Sequence, residues 1–174
     1  MRLFAAINFS PGICKRLLAL QSELRAKAVR GSFTPPQNIH LTLVFLGECG
    51  QAQLTAAKAA MDAVRYEPFS IEIDRMGCFP RGDGDIWWAG VRESRPLFDL
   101  QRQLSEKLAR EGFPPDDRSY SPHITLGRKV EGKIVGQRIE PFGEEVTSIE
   151  LMRSERIQGK LTYTQIYRKV AHPI

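Results

Sequence analysis

Histidine is scarce in this chain of 174 residues, with three copies at positions 40, 123 and 172. Cysteine is as scarce, and Cys14, Cys49 and Cys78 form neither a C-x-x-C pair nor a metal-type spacing. An odd number of scattered thiols argues against a disulfide framework and for a reducing, cytoplasmic compartment. No apolar run approaches the ~20 residues of a membrane span. The stretch Leu3 to Ile7 is too short for a signal-peptide core. There is no glycine-rich phosphate loop, no G-x-S-x-G and no His-Glu-x-x-His, so neither a metal nor a cofactor is expected. None of the cysteines has a neighbouring base in sequence, which leaves a thiol nucleophile without support.

What remains is an ordinary globular composition, 42% apolar and 26% charged. That is enough apolar material for one domain over residues 1–174 with a core that needs no staple. Lys and Arg exceed Asp and Glu by 25 − 20 = 5. So mild an excess assists the approach of a polyanion without proving one.

Arg2–Phe9 reads as an apolar strand. Ser10 and Pro11 supply an N-cap and a first-turn proline, and Ile13, Leu17, Leu18, Leu20 and Leu24 follow at helical spacing to about Val29. Pro35-Pro36 leads into a strand over Ile39–Leu46. An alanine-rich helix over Ala52–Val64 precedes an alternating strand, Phe69–Met76. Arg81 to Gly84 is a turn, Ile86–Val91 a strand, Pro96–Arg110 a helix and His123–Gly127 a strand. Val146–Met152 and Leu161–Val170 are expected to close as an antiparallel pair around Gln158-Gly159.

One order of elements therefore occurs twice: strand, helix, proline-bearing loop, and a strand that opens on histidine. Phe4 to His40 is 40 − 4 = 36 positions, and Trp88 to His123 is 123 − 88 = 35. Matching order and spacing predict a pseudo-twofold duplicated fold, with repeats over about 1–80 and 81–174 and the two histidine strands disposed about one central cleft. The strands open alike, His40-Leu41-Thr42-Leu43 and His123-Ile124-Thr125-Leu126. Side chains alternate faces along a strand, so each presents one imidazole and one hydroxyl to the same space. Two imidazoles and two hydroxyls in one cleft suit in-line attack on a phosphodiester. A neutral histidine takes a proton from water, a protonated one gives a proton to the leaving oxygen, and hydroxyls with a nearby arginine hold the non-bridging oxygens. His172, beside Pro173, reads as a surface residue.

The segments Pro36–Gly47 and Ser121–Arg128 resemble the two signatures of the 2H phosphoesterase superfamily. Within it the chain is most similar to the RNA 2′,3′-cyclic phosphodiesterase branch, also called 2′-5′ RNA ligase, which the Arg2-Leu3-Phe4-Ala5 start and the Ser154…Gly159…Tyr163 stretch also resemble. The resemblance implies an α+β, bilobal fold with two antiparallel sheets flanking a central cleft and helices on the outside. It implies hydrolysis of a terminal 2′,3′-cyclic phosphate on RNA to a 2′-phosphomonoester, with reversible 2′-5′ ligation as a further capability. By the same carry-over, His40 is the proton donor to O3′ and His123 the proton acceptor from water. Thr42, Thr125 and Arg128 bind the phosphate, although strand alternation alone does not place Arg128 in the cleft. RNA with 2′,3′-cyclic ends, tRNA halves among them, is the expected partner of a monomeric, metal-free enzyme with no membrane association. Phe33 stands where relatives often carry tryptophan, at no catalytic position. Phe9, Phe45, Trp87, Trp88 and Tyr120 are the candidates for stacking on a base. Two other readings use the same cleft: an RNA-end binding module, or a phosphodiesterase for a small cyclic nucleotide or an ADP-ribose cyclic phosphate. Binding alone could use Arg or Lys, so the retention of both His and both Thr argues for catalysis.

Overall fold

Ser10 caps the first helix by accepting from the Ile13 amide, and Pro11 fills the first turn, where no amide is needed. In the computed structural model, which describes residues 1–173, this helix α1 (Pro11–Lys27) follows strand β1 (Arg2–Ile7). Next come β2 (Arg30–Phe33), a 3-10 turn (Pro36–Asn38), β3 (Leu41–Glu48), α2 (Gln51–Asp62), β4 (Phe69–Phe79) and β5 (Asp85–Val91). They are followed by α3 (Arg95–Arg110), β6 (His123–Glu131), β7 (Gln137–Val146), β8 (Ser148–Ile157) and β9 (Lys160–Val170). None of the described helices is long and apolar enough to cross a membrane.

Two of these strands are absent from the sequence reading. The helical spacing runs to about Val29 and nothing marks Arg30–Phe33 as a strand, but the helix stops at Lys27 with Ala28 extended, and the next residues pair with β6. Apart from its last residue, Gln137–Val146 is assigned no element by sequence pattern. It is an edge strand, mostly exposed and broken by Pro141, so it lacks the alternation that marks a half-buried strand. Val146 ends this strand and does not start the next, which begins at Ser148.

The strands form two antiparallel sheets, one ordered β3-β1-β8-β9 and the other β2-β6-β5-β4-β7. With the three helices this is an α+β fold. Each sheet draws on both halves of the chain: β2 and β4 join the five-stranded sheet, and β8 and β9 complete the four-stranded one. A boundary near residue 80 thus marks the repeated order of elements, not a division of the molecule into lobes. The helices interlock the two layers further. Helix α1 links β1 of the four-stranded sheet to β2 of the other, and it packs on β2, β6 and β7. Helix α3 links β5 to β6 and packs on β3 as well as β4. Its Leu97, Leu100, Leu104 and Leu108, spaced three and four apart, are all buried in a core that runs under both sheets.

Candidate active site

Along β3 and β6 the apolar positions of each motif turn inward. Leu41, Leu43, Ile124 and Leu126 are all buried. The alternate positions, His40, Thr42, His123 and Thr125, line one cleft of about 840 Å³ with walls from both sheets. The sequence-predicted pairs are thus brought together, His40 and Thr42 from one sheet and His123 and Thr125 from the other.

Each imidazole is held by a backbone carbonyl two residues upstream. Nδ1 of His40 lies 2.7 Å from the Asn38 carbonyl oxygen, and Nδ1 of His123 lies 2.7 Å from that of Ser121. A carbonyl only accepts, so Nδ1 carries the hydrogen and, in the neutral ring, the lone pair sits on Nε2. The two Nε2 atoms differ. That of His40 is 2.8 Å from the Thr42 hydroxyl, whereas that of His123 has no partner among the described residues. Their surroundings differ too. His40 contacts the rings of Phe4 and Tyr163 at centroid distances of 4.9 and 5.2 Å, and His123 meets Phe79 edge-on at 4.9 Å. Burial pushes both imidazoles below the ordinary histidine value. The Asn38 and Ser121 carbonyls oppose this, Arg128 adds to it for both rings, and His123 adds to it for His40.

Arg128 reaches the cleft through an irregularity that alternation could not anticipate. Trp88 pairs with Thr125 while Trp87 pairs with Gly127, so Leu126 is an extra residue in β6. This β-bulge reverses the parity downstream, puts Leu126 and Gly127 both inside and turns Arg128 outward. The same device recurs in β3, where Ala6 pairs with Thr42 and Ala5 with Val44, which makes Leu43 the extra residue. By that register Phe45 is the counterpart of Arg128. The bulged carbonyls are satisfied alike in the two sheets: Leu126 O accepts from Gln21 of α1 at 2.9 Å, and Leu43 O from Gln101 of α3 at 3.4 Å.

Of the five aromatic candidates for stacking, Phe45 is the one that lines the cleft, and it is 70% exposed. Trp87 and Phe9 pack into the core, and Tyr120 donates to the Thr42 carbonyl. Trp88 covers Gly77 so closely that a Cβ there would stand 2.5 Å from its ring. His172 sits away from the cleft, 3.2 Å from Arg65. Nothing in the sequence pattern marks Phe79 as a neighbour of His123, and Phe4 and Tyr163 enter the sequence analysis only through resemblance, with no link to His40. Phe4 and Tyr163 belong to strands distant in sequence from His40, and no short-range pattern could have linked them. Among the described residues no group of three or more His, Cys, Asp or Glu is placed to hold a metal ion.

The family model of LigT-like phosphoesterases matches residues 7–88 and 90–163, and so spans both histidine strands. The chain belongs to this family. An RNA 2′,3′-cyclic phosphodiesterase of Methanothermobacter thermautotrophicus is 32% identical to it, with 95% of this chain and 96% of that protein covered. One of Escherichia coli is 30% identical, with 96% and 94% covered. The crystal structure of E. coli LigT complexed with 3′-AMP superposes at a TM-score of 0.85 with 28% identity, covering 98% of this chain and 97% of that one. Membership of the family joins the two halves of the site to one phosphoesterase scaffold.

Proposed function

We propose that the chain is an RNA 2′,3′-cyclic phosphodiesterase that opens the terminal cyclic phosphate to a 2′-phosphomonoester with its two histidines and no metal. The observation that carries this is the pair of imidazoles in one cleft, each with Nδ1 fixed on a carbonyl, which makes Nε2 the proton-transfer atom: open in His123, and on the Thr42 hydroxyl in His40. The relatives named above support the substrate class.

His123, whose Nε2 has no competing partner, takes a proton from water as the water oxygen bonds to phosphorus. The bond from phosphorus to O3′ breaks, and His40, protonated, gives its Nε2 proton to O3′. The products are a 2′-phosphate, a free 3′-hydroxyl, a protonated His123 and a neutral His40; exchange with solvent resets both rings. Arg128, Thr42 and Thr125 hold the non-bridging oxygens as negative charge grows on them. The bound anion also offsets the Arg128 charge that disfavours protonation of His40, so substrate binding itself favours the charged acid. Phe45 supplies the stacking face for the terminal base. If an RNA 5′-hydroxyl replaces water, the same bond changes make a 2′-5′ linkage, which accounts for reversible ligation without further machinery. The reading carries with it one domain over 1–174, a monomer in a cytoplasmic setting, and RNA ends such as those of tRNA halves.

The test offers RNA with a 2′,3′-cyclic terminus in EDTA and follows the product by phosphorus NMR. A 2′-phosphate is expected. A 3′-phosphate would reverse the leaving group and remove the assigned roles of His40 and His123, and loss of turnover on chelation would remove the metal-free mechanism.

A further inference from the structure

The cleft carries more positive charge than one cyclic phosphate requires. Its charged lining consists of Arg2, Arg128, Arg156, Glu48, Glu155 and the amino group of Met1. Both carboxylates are already answered: Glu48 lies 3.5 Å from the Met1 amino group, and Glu155 lies 3.2 Å from Arg153. Among the described residues none of Arg2, Arg128 and Arg156 has an acidic partner within ion-pair distance. A terminal cyclic phosphate bears a single negative charge, and Arg128 stands beside the histidines to meet it. Two guanidiniums are left over.

Their placement follows from the register of the four-stranded sheet. Phe4, which touches His40, pairs with Met152, and Arg2 pairs with Ser154, which pairs in turn with Tyr163 on β9. Arg156 comes two residues later on β8, opposite Leu161. Phe4 and Arg2, like Ser154 and Arg156, share a face one pleat repeat apart, about 7 Å along the strand. The cleft face thus runs outward from His40 past Phe4, then the row of Arg2, Ser154 and Tyr163, then Arg156 and Leu161. Burial raises the Tyr163 phenol while Arg128 and Arg2 both pull it down, so the two guanidiniums act on one ring from the catalytic end and the outer end. Both Arg2 and Arg156 are exposed, and Leu161, 40% exposed, adds an apolar patch beside them.

We infer that Arg2 and Arg156 form a second subsite, which binds the phosphodiester immediately upstream of the terminal nucleotide and makes a polynucleotide end the preferred substrate over a free cyclic mononucleotide. This inference rests on the cyclic phosphodiesterase reading and specifies it. The terminal nucleotide occupies His40, His123, Arg128 and Phe45, and the next phosphate of the strand meets the outer guanidiniums.

The experiment compares 2′,3′-cyclic AMP with a trinucleotide that ends in the same cyclic nucleotide, for the wild type and for the double variant Arg2→Gln, Arg156→Gln. In the wild type kcat/KM favours the trinucleotide by about tenfold or more, the scale of one well-made charge-assisted contact. The double variant loses that preference while its rate on cyclic AMP stays within about twofold, which also reports that it is folded. The double variant with lysine at both positions retains most of the preference. Raising salt depresses the wild-type rate on the trinucleotide more steeply than the variant's, because fewer phosphate contacts are left to screen. A wild type that opens both substrates equally well, or a variant that loses both rates in parallel, overturns the subsite and leaves the catalytic reading standing. Failure of the wild type to open either substrate overturns both.

Discussion

The two halves of the cleft are built to one plan and finished differently. Each has a histidine pinned through Nδ1 to a carbonyl, a threonine two residues on, a bulged leucine after it, and a glutamine from a helix on the bulged carbonyl. The divergence is in what surrounds those parts. His40 is enclosed by two aromatic rings and bonded to Thr42, while His123 has one ring and an open Nε2. Past the bulge, one strand offers Phe45 to the cleft and the other Arg128. A duplicated scaffold thus provides two equivalent proton-transfer positions, and the unlike neighbours separate them into an acid and a base, a base-stacking wall and a phosphate-holding wall.

The largest effect expected comes from the histidines. On a cyclic-ended RNA, His40→Ala and His123→Ala should each lower kcat/KM by about 10²–10⁴-fold, the range of general acid or base catalysis. An aryl phosphodiester, whose nitrophenolate leaves without a proton, should part the two. His40→Ala then recovers most of the wild-type rate and His123→Ala does not. Recovery in His123→Ala, with none in His40→Ala, would exchange the roles.

Next come the two residues that share a position past the bulge. Arg128→Ala should cost about 10²–10³-fold in kcat, since it removes a donor aimed at charge that grows in the transition state. Phe45→Ala should act mainly on KM, by roughly tenfold, because stacking on one base is worth about 1–3 kcal/mol and is made equally before and during the reaction. Steady-state kinetics on one substrate distinguish the two. An equal fall in kcat for both variants would end the division of labour between the walls.

Much of this was legible in the chain. The His-x-Thr pairs, the helices that start at Ser10-Pro11 and about Pro96, and the repeated order of elements all depend on local pattern, and local pattern survives folding. Arg128 shows where that stops. Its outward orientation depends on an extra residue in β6, and a bulge leaves no mark in a sequence of ordinary strand residues. The interlocking of the halves was illegible for a related reason. Nothing near Arg30 or Gln137 announces that these segments extend the second sheet, because edge strands are set by partners distant in sequence. The contacts of Phe4 and Tyr163 with His40 are of the same kind.

A smaller difference should separate the glutamines that hold the bulges. Gln21 is buried and donates from one amide to both Thr34 O and Leu126 O, at 2.8 and 2.9 Å. Gln21→Leu should therefore cost about 1–3 kcal/mol in urea unfolding, as two hydrogen bonds are lost, although Leu126 O keeps the Thr34 amide as a donor. Gln101→Leu breaks a longer bond on a half-buried side chain, and about 0.5–1 kcal/mol is expected. Equal losses would mean that the two bulges bear on stability alike.

The smallest effect is a slope of stability against pH. Burial lowers the folded pKa of both histidines below the ordinary value of about 6.5, so between that value and the lowered ones the unfolded chain binds more protons than the folded one. Their contribution to stability is full above about pH 6.5 and falls as the pH drops through that window. Urea unfolding of the free protein at successive pH values should show the slope, and either His→Asn substitution should flatten it. His40→Asn should flatten it more, since His40 is the more enclosed ring and is repelled by His123 as well as Arg128. Inorganic phosphate should act in the same direction without any substitution. An anion in the cleft offsets Arg128, brings both folded pKa values back towards the unfolded one, and so narrows the window over which the slope exists. A slope that phosphate leaves untouched would place the titrating groups outside the cleft, and the proposed gain of a proton by His40 on substrate binding would lose its basis.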